Sequence, residues 1–366
     1  MFKKKTILIA PLDWGLGHAT RCIPIVKELQ ELNCNVIIAA EGTTQLIISQ
    51  AFPTITCLPL KGYHVKYSRK KTLFTFKILT QIPKIISKVY REHRWLKKVV
   101  KKYAVDAIIS DNRFGCYHHS LPSVYITHQL AIQTGNSISD TLAQMIHLHF
   151  IKKYTQCWVP DFEGKDNVAG KLSHPKLVPS NTTYIGCLSR FQSIPAINKI
   201  YDVVIVISGP EPQRTIFENM LLVQLNYFRG KVLIVRGLPG RKMDIPLLNI
   251  NNHEVHAHLS TKELNQVIQQ AKMVICRSGY TSVMDLIKVQ QKAIFVPTPG
   301  QAEQEYLASY LFEKEMYYSV PQHKFILQKA LDAAASFPYH FPLFNMEQYK
   351  KTIEHFVNNL SPQVSQ

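Results

Sequence analysis

The sequence predicts an α/β protein of two doubly wound, Rossmann-like domains facing a central cleft, and three observations carry that expectation. Short β-branched runs alternate with amphipathic segments along the chain, as in parallel sheets covered by helices on both faces. The alternation stops over residues 185–201, where Gly186, Ser189, Ser193 and Pro195 cluster, and then restarts. A chain of 366 residues also exceeds the usual size of one hydrophobic core.

In order, the first half predicts strands over 6–10, 35–39, 54–58, 107–110 and 123–127, a sixth over 157–159, and helices over 20–32, 43–51 and 73–102. The second half predicts strands over 202–208, 232–235, 254–257, 273–276, 293–296 and 317–320. Its helices fall over 212–226, 261–270, 281–289, 303–314 and 323–335. These give an N-terminal domain over 1–188, a C-terminal domain over 189–345, and a helix and tail over 346–366 that can return to the first domain. Doubly wound sheets bind ligands beyond the carboxyl ends of their strands, so functional residues are expected in those loops.

Composition narrows the class. The 46% apolar residues are those of a globular protein and argue against disorder. Seven cysteines, odd in number and never spaced as CxxC, fit neither a disulfide framework nor a zinc cluster, and suit a reducing cytoplasm. No apolar stretch reaches the roughly 18 residues of a membrane span, so membrane contact is expected to be peripheral, on the inner face of the plasma membrane. The charge of +18 is concentrated: residues 61–102 hold fourteen Lys and Arg against one acid, Glu92. Apolar residues such as Phe74, Ile78, Ile85, Ile86 and Val89 interleave with those cations, which suits an anionic lipid surface or a lipid-linked acceptor. An ordinary helix on the sheet with solvated lysines would read alike, and Pro83 breaks or restarts it. A specific nucleic-acid partner is not expected, since no stacking platform or RNA motif accompanies the charge.

The loop after the first strand reads Pro-Leu-Asp-Trp-Gly-Leu-Gly-His-Ala-Thr-Arg. Gly15 and Gly17 permit a tight turn and close approach of an anion to free backbone amides, with Asp13 beside them. His18 then stands at a strand's carboxyl end, where an imidazole can take a proton from a hydroxyl. Asp111, directly after the strand over 107–110, can fix its tautomer, which predicts a His18–Asp111 pair; Asp111 also suits the cap of a helix opening at Asn112. Asp13 and His128 are reserves for the base, and His128 can instead line an acceptor pocket. In the second half Ser208, Gly209 and Arg214 flank a strand-to-helix turn and suit a pyrophosphate.

The run Cys-Arg-Ser-Gly-Tyr-Thr-Ser-Val-Met-Asp over 276–285 and the segment Pro-Thr-Pro-Gly-Gln-Ala-Glu-Gln-Glu-Tyr over 297–306 resemble the donor site of GT-B glycosyltransferases, especially family 28, the peptidoglycan N-acetylglucosaminyltransferase family. The Gly-Leu-Gly-His loop is similar to that family's N-terminal glycine loop. The resemblance implies a GT-B fold and a nucleotide-diphosphate sugar donor, a UDP-sugar, held mainly by the C-terminal half. It implies Ser278 and Gly279 at the diphosphate, Asp285 on the ribose where the family has a glutamate, Gln304 on sugar hydroxyls, Glu305 in place of a second glutamine, and Leu259 at the nucleobase. It further implies inverting transfer to an acceptor hydroxyl with no metal and no cofactor; neither His147 with His149, His256 with His258, nor Asp161 with Asp166 has metal-ligand spacing. The same loop, through Arg21, is also similar to nucleotide-sugar hydrolases or epimerases of this fold, and a non-catalytic lipid or nucleic-acid binder is the alternative of another class.

Overall fold

The structure, a computed structural model, describes residues 4–13, 15–63, 82–133, 137–240 and 253–360. The chain divides between Leu188 and Ser189 and again between Leu343 and Phe344, so the first unit is made of two stretches and the second of one.

The first unit runs β1 (Thr6–Pro11), α1 (Leu16–Glu31), β2 (Asn35–Ala39), α2 (Gly42–Ala51), β3 (Thr56–Leu58), α3 (Ile82–Tyr103), β4 (Ala107–Asp111), β5 (Ser123–Ile126), α4 (Ser137–Ile151), β6 (Gln156–Val159) and β7 (Thr182–Tyr184). Its strands form one parallel sheet in the order β3-β2-β1-β4-β5-β6-β7. The direction of winding reverses between β1 and β4, which opens a crevice at their carboxyl ends. Register there sets Pro11 opposite Asp111. Both faces are covered: Ile7, Ile9, Ile109 and Ile126 pack under α1, while Leu8, Ile37 and Ile108 pack with Leu96 and Val99 of α3.

The second unit runs β8 (Tyr201–Val206), α5 (Gln213–Leu225), β9 (Val232–Val235), β10 (His253–His256), α6 (Thr261–Gln269), β11 (Ala271–Cys276), α7 (Tyr280–Lys288), β12 (Ala293–Phe295), α8 (Ala302–Glu313), β13 (Tyr318–Ser319) and α9 (Leu327–Ala335). Its parallel sheet has the order β10-β9-β8-β11-β12-β13, with the reversal between β8 and β11. A capping box fixes the start of α6, the Ser260 hydroxyl accepting from the Glu263 amide while Glu263 accepts from that of Ser260. The last helix, α10 (Gln348–Asn358), belongs to the first unit: Tyr349, Ile353, Phe356 and Leu360 join the core under α1, and Phe356 meets Trp158 edge-on at 5.4 Å.

Several expectations need correction. α1 begins at Leu16 rather than 20, because Gly15, at φ 78°, turns the chain and lets Gly17 and His18 enter the first helical turn. No helix follows Asp111; Asn112 takes a left-handed φ of 57° and the chain loops away. β7 was not expected, and residues 322–324 form a separate 3₁₀ turn before α9. The helix expected over 73–102 is described only from Ile82, and its earlier part lies outside the described residues. Much of its apolar stripe is spent inside the unit, with Val89, Leu96 and Val99 buried, whereas Ile86 and Tyr90 face outward.

Candidate active site

At the β1–β4 crevice, His18 and Asp111 come together as expected. His18 Nδ1 lies 3.1 Å from Asp111 Oδ1, and the imidazole keeps 13% of its side-chain surface exposed while Asp111 is fully buried. The pair is closed by a residue the sequence reading left out of the site. Arg21, one helical turn after His18, grips both carboxylate oxygens with its guanidinium, Nε donating to Oδ2 at 2.6 Å and Nη2 to Oδ1. Its Nη1 donates to His128 Nδ1 at 3.1 Å, which places His128 behind the arginine. The signal for Arg21 was its i+3 spacing from His18, hidden while the helix was taken to start at 20.

These contacts decide the charges. Burial would raise the Asp111 carboxyl, but the Arg21 guanidinium, His18 and their hydrogen bonds outweigh it and hold the acid at about 2, so it is ionised. Burial lowers the His18 imidazole below its ordinary value; Asp111 opposes that fall, while Arg21 and His128 add to it. His18 Nδ1 is met by both Asp111 Oδ1 and, at 2.8 Å, Arg21 Nη2; in the tautomer with its proton on Nδ1 the imidazole donates to Asp111 and keeps the Nε2 lone pair for an incoming hydroxyl. Asp13 is engaged otherwise: Oδ1 accepts from the Tyr63 amide at 3.2 Å, and a β-carbon on Gly62 would fall 1.7 Å from Oδ2. Gly15 has nothing within 4 Å of where a β-carbon would stand, so the turn beside His18 is open.

In the second unit the loops at the β8–β11 reversal carry the residues expected at the donor. Gly209, exposed at φ 107°, supplies a conformation that side chains rarely adopt. Ser208 beside it is half-buried. Gly279 caps α7, with open space where a β-carbon would stand. Ser278 is buried and donates to the Gln304 carbonyl at 2.8 Å, while Gln304 Oε1 accepts from the Thr298 amide at 2.9 Å and Glu305 Oε1 from that of Gly300 at 2.9 Å. Arg277, fully buried, braces this edge by donating to the carbonyls of Val296, Pro297 and Gln213. Leu259 is buried between β10 and α6.

Arg214 and Asp285 also have internal partners, and these engage their charged groups. Arg214 does not present its guanidinium as a free pyrophosphate fork: Nε and Nη2 donate to the Arg236 carbonyl and Nη1 pairs with Glu218 at 3.2 Å. Asp285 is buried, accepting from the Ser189 hydroxyl at 2.7 Å and Arg190 Nε at 3.3 Å. Burial raises its carboxyl above the ordinary value, against the pull of Arg190 and Ser189. Both partners lie in the stretch over 185–201 where the alternation of strand and helix patterns stops.

Comparison with known proteins gives the family and the fold. Residues 230–361 match the glycosyltransferase family 28 C-terminal domain. A UDP-N-acetylglucosamine–N-acetylmuramyl-(pentapeptide) pyrophosphoryl-undecaprenol N-acetylglucosamine transferase from Histophilus somni (strain 129Pt) is 35% identical over 339 residues, covering 90% of this chain and 88% of the relative. Among solved structures, the glycotransferase of kitacinnamycin is 13% identical with a TM-score of 0.63, covering 98% of this chain and 95% of that one. MurG of Acinetobacter baumannii is 13% identical with a TM-score of 0.54, covering 98% and 99%. Both carry the GT-B fold, which this chain shares.

Proposed function

Since this chain belongs to glycosyltransferase family 28, and so is a nucleotide-sugar-dependent glycosyltransferase, we propose that it moves N-acetylglucosamine from a UDP donor to the hydroxyl of a lipid-linked acceptor. The observation that carries the substrate is the identity along nine-tenths of the chain with a transferase of that description. The reaction is direct displacement with inversion at the anomeric carbon and needs no metal ion.

His18 Nε2 takes the proton of the acceptor hydroxyl as its oxygen bonds to the anomeric carbon, and the bond from that carbon to the diphosphate breaks. Asp111 stabilises the imidazolium, and Arg21 keeps Asp111 ionised and fixed in direction. The departing diphosphate is met by backbone amides at Gly209, Gly279 and the start of α7, where aligned dipoles favour negative charge. Asp285 and Arg190 serve the ribose and diphosphate, Leu259 the base, and Gln304 and Glu305 the sugar. Outside the reacting groups, the basic outer face of α3 docks the enzyme on the anionic inner leaflet, where a lipid-linked acceptor is presented.

Arg21, the residue shared with nucleotide-sugar hydrolases, has work here that fits transfer as well as hydrolysis, since it clamps the carboxylate of the base pair. The two readings separate in one assay. UDP-N-acetylglucosamine is incubated with and without the detergent-solubilised lipid-linked acceptor, and UDP release is followed. Transfer predicts release that depends on the acceptor, persists in EDTA, and yields a β-linked product. Release at the same rate without acceptor overturns the proposal in favour of hydrolysis.

A further inference from the structure

Three residues outside the His18–Asp111–Arg21 cluster tie α3 to both loops that carry it. Glu92, midway along α3 and 4% exposed, accepts from Arg113 Nη1 at 2.6 Å, from the Tyr63 hydroxyl at 2.7 Å and from the Gly115 amide at 3.0 Å. Arg113, fully buried two residues after Asp111, sends Nε to the Pro11 carbonyl at 2.8 Å. Pro11 is the residue registered opposite Asp111, and the next amide, Leu12, donates to the Asp111 carbonyl at 3.0 Å. Tyr63 gives its amide to Asp13, which precedes the glycine turn into His18.

Two routes therefore leave Glu92. One passes through Arg113 to the β1–β4 pair that holds Asp111, and the other through Tyr63 and Asp13 to the turn that holds His18. Close contact makes both stiff: a β-carbon on Gly115 would fall 2.4 Å from the Val89 carbonyl of α3, and Gly62 is as tightly pressed on Asp13. Lys88 adds a third tie from α3, donating to the carbonyls of Gly62 and Tyr63 at 2.6 and 2.8 Å. A buried ion pair adds little net stability over apolar residues of the same volume, so the use to look for is fixing one arrangement. On its other side the same helix exposes Ile86, Tyr90, Arg91, Arg94, Lys97 and Lys98.

We propose that Glu92, Arg113 and Tyr63 are positioning residues through which α3 sets the geometry of His18 against Asp111, so that an anionic lipid surface on the outer face of α3 alters proton removal and leaves donor binding unchanged. The lipid half rests on the membrane-docking reading above. The charged and titratable groups facing His18 are Asp111 from β4, Arg21 from its own helix and His128 after β5. The relay acts on the first of these.

The test is the titration of His18, followed by NMR on the full chain with carbon-labelled histidine and assigned with His18→Gln. Glu92→Gln and Tyr63→Phe should each move it by about half a pH unit or more, further below the ordinary imidazole value, as the Asp111 geometry loosens and its support of the imidazolium weakens. In turnover with UDP-N-acetylglucosamine both variants should lose about tenfold in kcat with the donor KM unchanged. Bicelles containing phosphatidylglycerol should move the wild-type titration and leave those of the variants in place. Tyr63→Phe keeps the ring and its packing and decides the matter if Glu92→Gln fails to fold. A Tyr63→Phe titration that overlays wild type refutes the positioning role. If wild type floats with phosphatidylglycerol vesicles yet its His18 titration is unmoved, the lipid coupling is refuted while docking stands. If it floats with no vesicle, docking falls and takes the lipid half with it, and the variants still decide the positioning half.

Discussion

Replacing Asp111 by asparagine keeps the side-chain shape and removes the charge at the centre of the first site. The carboxyl is fully buried and held at about 2 against an ordinary 3.8. That difference amounts to roughly 2 kcal/mol of stability at neutral pH. Because the folded value is depressed, the contribution is complete above about pH 4 and is lost as pH falls through about 2. The variant loses more than this, since Arg21, itself 4% exposed, is left buried without its counter-ion. Breaking such a pair costs about 3–5 kcal/mol. Urea unfolding at pH 7 should therefore show a drop of about that size, and the variant's stability should no longer respond to acid through Asp111. Turnover of the folded fraction should fall about a hundredfold or more, because the imidazolium formed at His18 loses its partner. An Asp111→Asn protein with wild-type stability and turnover would refute both the electrostatic reading and the base pair.

Three further outcomes follow from the same geometry. His18→Ala should lower turnover about a hundredfold while thermal stabilisation by UDP is kept; since burial and Arg21 hold the imidazole below its ordinary value, wild-type turnover should be on its plateau at neutral pH and decline only on the acid side. Asp285→Ala should weaken UDP binding by roughly 1.5–3 kcal/mol in calorimetry, and unchanged affinity would mean that its bonds to Ser189 and Arg190 are all it makes. Vesicle flotation should require anionic lipid, weaken with salt, and be lost when Arg91, Arg94, Lys97, Lys98, Lys101 and Lys102 are neutralised together; equal recovery with neutral vesicles would refute docking through α3.

The order of strands and helices was readable because the central strands of both sheets are compact aliphatic runs, as in Thr6–Pro11 or Val232–Val235. β7 was not: its three residues, Thr-Thr-Tyr, are too few for a pattern to show. His18 and Asp111 could be paired in advance because the loop leading to His18 leaves the carboxyl end of β1 and Asp111 closes β4 at the same sheet edge. Arg21 could not, because its place depends on a helix that starts at Leu16, and only Gly15's left-handed turn sets that start. The partners of Asp285 lie 96 and 95 positions away in a stretch without periodicity, so no local signal announces them. For Arg214 the signal was present and outweighed: Glu218 stands four residues on, the spacing of a helical ion pair.

The return of α10 to the first unit bears on how the protein is made. Ser189–Leu343 is a continuous stretch with its own core and can close while the chain is still being synthesised. The first unit has its sheet by Tyr184, yet the groove filled by Ile353 and Phe356, beside Trp158, waits for residues that follow the whole second unit. For the time taken to translate the intervening stretch, the half bearing His18 stands with that apolar groove uncovered. A ribosome stalled before Gln348 would therefore hold a closed second unit and an unfinished first one, the species on which a chaperone would act.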